Sequence, residues 1–412
     1  MKRDFIRKLE KSDDAGKIRT FIIYGMKGVG KTGAIIEYAE NKYEEHIYID
    51  ASLYSDFLKF CKENTALGED RLTDTLSDYL NINPEYLVNI PIIIDEPCKS
   101  IIETGIFENG GGFLKLFIIS SDEQTGLYLE KCFENAEMIK VLPLNYGEFL
   151  TDLDKEWYTE IIEGHLMSRK KIPDMIHDEL TDIFDQFMIT GGMPEIVEEF
   201  KRLQITDNLE QKQRLLKYGI LYDGMYEAEC ESRTKVKALW DAIENTLEKD
   251  NHKFMYSSIR DGATRKIYEN EMSFLSSRNM LLKVEKLQEK QDNTGDFRLY
   301  YSDISLYERH ETGKSLESLL VQEISGGGTL IRYWESGKGA AVDMVLEFDG
   351  KNIPVELKAY GRGNSRSVNA YLKARPEKKI LRLSRDNCKF EGDMVSIPLY
   401  ASYAINRINS IF

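Results

Sequence analysis

Ile22-Ile23-Tyr24-Gly25-Met26-Lys27-Gly28-Val29-Gly30-Lys31-Thr32 joins a short apolar run to the pattern GxxxxGK[ST]. Helix-spaced residues Ala34, Ile35, Ile36, Tyr38 and Ala39 follow. A phosphate cradle needs this order: a buried strand, a loop whose backbone N–H groups face inward, and a helix N-terminus. Gly25, Gly28 and Gly30 supply backbone angles that residues with a Cβ resist. The predicted contacts to phosphate come from Gly25, Lys27, Gly28, Val29, Gly30, Lys31, Thr32 and Gly33. Lys31 is expected at the β/γ-phosphates and the Thr32 hydroxyl at Mg²⁺, so the stretch predicts bound ATP with Mg²⁺.

Downstream runs extend the picture. His46-Ile47-Tyr48-Ile49-Asp50 reads as a second strand with an acidic end, and Leu114 to Ile119 as a further apolar one. Between them, Ile90-Pro91-Ile92-Ile93-Ile94-Asp95-Glu96 is an apolar strand ending in two carboxylates, with its proline near the first residue, where a missing N–H does least harm. Short apolar strands separated by helical segments predict a parallel sheet covered on both faces, with ligands gathered at the carboxyl ends of its strands. Asp95, about sixty residues after Lys31, is assigned to the Mg²⁺ shell, and Glu96 to the catalytic base that polarises the attacking water. Ser120 and Ser121, at the next strand's tip, are candidate sensors of the γ-phosphate. No arginine is marked by position as a finger.

With 412 residues the chain exceeds one core. Its 42% hydrophobic and 30% charged residues are those of an ordinary soluble protein. A net charge of −15 excludes a wholly basic nucleic-acid-coating surface. Five cysteines without a CxxC pair and five histidines without HxxxH spacing give no support to a zinc site. The N-terminus lacks a signal peptide's apolar core, and no run reaches bilayer length, so a cytoplasmic protein with no membrane association is expected.

From Asn145 the pattern turns helical, broken by Thr190-Gly191-Gly192-Met193-Pro194 as an interhelical turn. Residues 253–305 suggest a helix-rich module with a hairpin (Leu281 to Val284, Phe297 to Tyr301), an outline that suits a winged helix. The last hundred residues read α-β-β-β-α-β, a second α/β core. The expected domains are therefore 1–144, a P-loop ATPase core; 145–230, a helical lid; 231–305, the winged-helix-like module; and 306–412, the second α/β domain.

In that last domain Asp343, Glu356 and Lys358 form D-x₁₂-E-x-K across two adjacent strands, with Glu317 on the preceding helix. Two carboxylates side by side suit a hard divalent cation, and Lys358, on the same face as Glu356, would position a water. The competing reading is an amphipathic hairpin with ordinary surface charges. Residues 351–390 hold eleven Lys/Arg against three acids, the local charge that a phosphate backbone selects; a solvated basic helix face docking on the acidic N-terminal domains reads equally well.

Together these segments resemble a bacterial and archaeal family that pairs an AAA-type P-loop domain with a C-terminal domain similar to PD-(D/E)xK nucleases. GMKGVGKT (25–32) is similar to its GpRqvGKT, IIIDEPCKS (92–100) to its flDEiqk, and LPLNYGEFL (142–150) to its PLsfxEFL. TGGMPEIV (190–197), YSDISL (301–306) and LESLLVQEI (316–324) resemble its GGmPevv, ylxDxGL and tEnfVaqEL segments. Tyr333-Trp334, AVDMV (341–345) and PVELK (354–358) follow its yYW…EVDFv…PvEvK order. Ser120 follows Ile119 where the family has glycine-serine, and Ala341 stands where it has glutamate. The resemblance implies ATPase activity, a restriction-endonuclease-like C-terminal fold, and oligomerisation as in AAA-type relatives. It leaves open whether that fold cleaves nucleic acid or docks a protein partner.

Overall fold

The computed structural model describes residues 3–64, 70–108, 112–203, 209–227, 232–247, 253–287, 295–307, 314–336, 339–348, 350–358 and 365–407. Two compact units divide the chain. One is Met1–Leu142 with Tyr218–Val236 and Asn270–Met280; the other is Pro143–Lys217 with Lys237–Glu269 and Leu281–Phe412. The division interleaves the chain, where the sequence suggested four consecutive domains. Among the described residues no helix is long and apolar enough to cross a membrane, and Cys61, Cys98, Cys132 and Cys388 are free thiols.

The first unit is built on β1 (Thr20–Tyr24), β2 (Ile47–Asp50), β3 (Ile92–Asp95), β4 (Leu116–Ser120) and β5 (Ala136–Lys140). They lie in the order β2-β3-β4-β1-β5 with every pairing parallel, an α/β sheet that fits a P-loop NTPase fold. Apolar residues run continuously through β3 and β4 because both faces are covered, and Ile22, Ile94 and Ile118 are wholly buried. β4 lies between β1 and β3, so its tip at Ser120 falls between the phosphate loop and Asp95. β5, whose sequence Ala-Glu-Met-Ile-Lys carries little apolar signal, is the edge strand that the sequence reading passed over.

One carboxylate ties the base of this sheet together. Asp13, near the end of the helix Asp4–Asp14, is buried. It accepts hydrogen bonds from Tyr38 (2.6 Å) and Tyr43, and it pairs with Lys42 (3.0 Å) and Lys115. Burial alone would raise its pKa. The donors, Lys115 foremost, overcome that and hold it at about 2.

The second unit carries an eight-stranded mixed sheet. Its strands are β6 (Leu281–Lys286), β7 (Phe297–Tyr301), β8 (Leu330–Glu335), β9 (Ala341–Phe348), β10 (Lys351–Lys358), β11 (Ile380–Ser384), β12 (Lys389–Glu391) and β13 (Met394–Pro398). The order is β12-β13-β11-β10-β9-β8-β6-β7. The expected α-β-β-β-α-β series is present, as helix Lys314–Gly326, β8, β9, β10, helix Ser365–Ala374 and β11. The expected wing is not a separate module. β6 and β7 do form an antiparallel hairpin, but β6 also pairs with β8 (Glu285↔Arg332, Lys286↔Tyr333), which makes the hairpin the edge of the large sheet.

Of the stretch 145–230 expected as a helical lid, the part up to Lys217 belongs to this second unit and the part from Tyr218 onward to the first, and buried polar contacts hold the former in place. Gly192 N donates to the Asp303 carboxylate at 2.8 Å, and Gly192 O accepts from Leu144 N at 2.7 Å. Asp303 also accepts from Gln322 (2.9 Å) and from Ser305 N (2.8 Å). The Glu323 carboxylate accepts from Tyr146 N at the start of the helix Tyr146–Asp152, whose Asn145 and Glu148 form a reciprocal cap. A Cβ on Gly192 would lie 2.0 Å from Leu144 O, so only glycine permits this approach. Four of the segments that carry the resemblance thus meet at one joint.

Because Asp13 has a depressed pKa in the folded chain, its contribution to stability is complete above the ordinary aspartate range of about 4 and lost as pH falls toward about 2. Urea titrations between pH 5 and pH 2.5 are expected to show wild type losing more stability than Asp13→Asn, which starts about 3 kcal/mol lower. Parallel pH profiles would contradict the assignment.

Candidate functional site

The loop from Gly25 to Gly30 connects β1 to the helix Lys31–Lys42. Gly28 and Gly30 have φ of 85° and 86°, in the left-handed region that favours glycine. Gly25 is required for a different reason: a Cβ there would lie 2.0 Å from Val141 O. The loop is braced from behind by Arg3, whose Nη1 donates to Val29 O (2.7 Å) and Nη2 to Leu142 O (2.6 Å). Nothing in the local sequence marks Arg3 for this contact.

Lys31 is buried and points back into its own loop. Its Nζ donates to Gly25 O (2.9 Å), Met26 O (3.2 Å) and Ser121 Oγ (3.0 Å), with Glu96 Oε1 3.6 Å away. Burial lowers its pKa, while Glu96 and Asp95 work in the opposite direction. Burial outweighs them and the net shift is downward, with carbonyl and hydroxyl oxygens of the protein packed around Nζ.

Thr32 Oγ1 donates to Asp95 Oδ2 at 3.0 Å, and the Tyr48 hydroxyl donates to the same oxygen at 2.8 Å. Asp95 Oδ1 is buried and has no hydrogen-bond partner. Burial first, and then the neighbouring Glu96, push the Asp95 pKa up. A hydroxyl and a carboxylate side by side, one carboxylate oxygen lacking a partner, form a donor set that fits Mg²⁺. Glu96 has φ of 51°, unusual for a residue with a Cβ, and Ser121 fixes its carboxylate through both backbone N–H (2.8 Å) and hydroxyl. Ser121 therefore contacts Lys31 and Glu96 together. Ser120 turns its hydroxyl onto Asp122 O (3.0 Å).

The C-terminal set is arranged differently. The β9/β10 register pairs Met344 with Val355, and one further step sets Asp343 opposite Glu356, as the hairpin reading expected. Arginines occupy these carboxylates. Arg298 Nη1 donates to Glu317 Oε1 (2.8 Å) and to Asp343 Oδ1 (3.1 Å), and its guanidinium stacks 4.5 Å from the Tyr333 ring centroid. Arg382 donates to Glu356 Oε2 at 2.8 Å. Among the described residues, no three His, Cys, Asp or Glu side chains converge on a metal position. The structure thus places Glu317, Asp343 and Glu356 in arginine ion pairs, through buried Arg298 and half-buried Arg382, with Lys358 two residues beyond Glu356 on β10. Of the basic residues in 351–390, Arg385 pairs with Asp185 (3.0 Å), whereas Arg366, Lys373, Lys378 and Lys379 are exposed.

Sequence reading also missed Tyr48, Asp223, Glu227, Arg278 and Arg298. Lys27 donates to Glu227, which is 200 positions away along the chain, and no local spacing signals such a contact.

Residues 181–315 match a family described as a domain of unknown function (DUF8612), and residues 312–401 match another (DUF4143). No curated protein matches the chain. A solved structure, a Walker-type ATPase of Pyrococcus abyssi, aligns over 73% of this chain and 93% of its own, at 13% identity and a TM-score of 0.43.

The loop geometry predicts a sharp contrast between two nearby glycines. Gly25→Ala is expected to cost about 3 kcal/mol or more, because its Cβ collides with backbone. Gly33→Ala, with nothing within 4 Å of its Cβ in a helix, is expected to be neutral or to stabilise by up to about 1 kcal/mol. Urea denaturation measures both, and equal effects would contradict the described approach.

Proposed function

We propose that the N-terminal unit binds ATP with Mg²⁺ and hydrolyses it, and that this cycle switches the state of the nuclease-like C-terminal domain. The observation that carries this reading is the convergence of Lys31, Thr32, Asp95, Glu96 and Ser121 at the carboxyl ends of three adjacent strands. In this reading the loop N–H groups from Gly25 to Gly33 cradle the phosphates, and Lys31 exchanges its carbonyl partners for phosphate oxygens. Thr32 and Asp95 would hold Mg²⁺, which when bound would supply positive charge against the phosphates. Glu96 takes a proton from water as that water attacks the γ-phosphorus and the bond to the bridging β,γ-oxygen breaks. Ser121 is the sensor of this pair, because its hydroxyl already joins Lys31 to Glu96.

A second reading concerns the output. Arg298 on Glu317 and Asp343, with Arg382 on Glu356, favours a C-terminal domain that binds without cleaving. Its occupant is nucleic acid on the exposed basic side chains or a protein partner docked there.

Lys31→Ala is expected to abolish ATP turnover, and Glu96→Gln to lower kcat by about 10²-fold or more with binding retained. Ser121→Ala is expected to reduce turnover well beyond Ser120→Ala. Turnover that survives Lys31→Ala would refute the ATPase reading. DNA held with Mg²⁺ or Mn²⁺ is expected to stay intact. Cleavage that disappears in Asp343→Ala would overturn the non-cleaving domain.

A further inference from the structure

Two cations remote in sequence, Lys27 and Arg278, meet at one carboxylate beside the phosphate loop. Glu227 Oε1 accepts from Lys27 Nζ at 2.5 Å, and Asp223 lies 3.4 Å from the same ammonium. Glu227 Oε2 lies 3.5 Å from Arg278 Nη1. Burial works to lower the Lys27 pKa, but the bond to Glu227 and the charges of Glu227 and Asp223 outweigh it, and the net shift is upward.

Arg278 follows the helix Glu269–Ser277, and its side chain is 11% exposed. Its guanidinium sits 5.3 Å from the Phe274 ring centroid, and its stem passes Gly224, where a Cβ would meet Arg278 Cδ at 3.4 Å. Arg278 and Glu227 line a cavity of about 350 Å³ together with Glu96, Ser120 and Asp122. Arg278 therefore borders the same space as Glu96, on the side of Glu96 away from the phosphate loop, none of whose residues lines that cavity.

A carboxylate shared by a phosphate-loop lysine and an arginine occupies the role of phosphate oxygens. Both cations are matched to a multiply charged anion, and a triphosphate brings more negative charge than one carboxylate can. We propose that Arg278 is the phosphate-contacting arginine of this site, acting within the same chain, and that Glu227 holds it and Lys27 until a triphosphate displaces the carboxylate. The inference rests on the ATP reading above. It adds a state-dependent exchange: Glu227 keeps both cations in the empty site and loses them when the γ-phosphate arrives.

The two residues have opposite expected effects, which a merely structural role would not produce. In the full chain, Arg278→Gln is expected to lower kcat for ATP by about 10²-fold or more while changing the ATP dissociation constant only about threefold, with Arg278→Lys partly restoring turnover. Glu227→Gln is expected to tighten ATP binding about fivefold and ADP binding less. Thermal melts within a few degrees of wild type establish that each variant is folded; should Arg278→Gln melt early, Arg278→Lys and Glu227→Gln carry the test. Wild-type turnover with Arg278→Gln equally active, or Glu227→Gln binding ATP more weakly, would overturn this proposal alone. Absence of ATP binding and turnover in wild type would overturn the ATP reading and this one with it.

Discussion

Burying an ammonium in a protein is costly unless oxygens replace its water, and the first unit is arranged around how Lys31 meets that requirement. Its Nζ is enclosed by Gly25 O, Met26 O and Ser121 Oγ, all within 3.2 Å. That enclosure needs the loop to fold back tightly, which in turn needs Gly25 against Val141 and Arg3 bracing Val29 from behind. Ser121 reaches Lys31 because β4 lies between β1 and β3 in the sheet order. The same hydroxyl fixes Glu96, so the loop lysine and the strand-end carboxylate are positioned by one residue.

Most of this site was legible in the sequence, because its parts are local patterns. GxxxxGK[ST] marks its loop by glycine spacing, and Ile92 to Glu96 mark their strand by apolar continuity with an acidic end. What was not legible came from contacts between distant segments. Tyr48 on Asp95 is a tyrosine in an ordinary strand, and Glu227 on Lys27 lies beyond the reach of any periodicity. β5 was missed because an edge strand with a polar face carries little apolar signal. The choice between Ser120 and Ser121 turned on which hydroxyl faces the lysine, a matter of backbone direction at the strand tip.

In the second unit the spaced carboxylates lie on neighbouring strands as the sequence suggests, and arginines from other strands join them. Asp343 and Glu356 do fall on neighbouring strands one step beyond the last paired residues. The sequence pattern that suggested a metal pair contained no warning of Arg298, which reaches it from β7 across the sheet, or of Arg382 on β11. The hairpin that resembled a wing delivers Arg298, because β6 joins β8 and makes β7 part of the same sheet. Glu317 and Arg298 are both buried, so removing the guanidinium would take the counter-charge from a carboxylate that also accepts from the Tyr300 hydroxyl, at a cost of about 3 kcal/mol. These ion pairs therefore belong to the fold itself.

Equilibrium binding of ATP, ADP and AMP with and without Mg²⁺, measured by calorimetry on the full chain, tests the central claim most directly. The account predicts one site per chain and affinity that rises with phosphate number. It also predicts that Mg²⁺ strengthens ATP binding and that Thr32→Ala removes the strengthening. Equal weak affinity for ATP and AMP, indifferent to Mg²⁺, would contradict it.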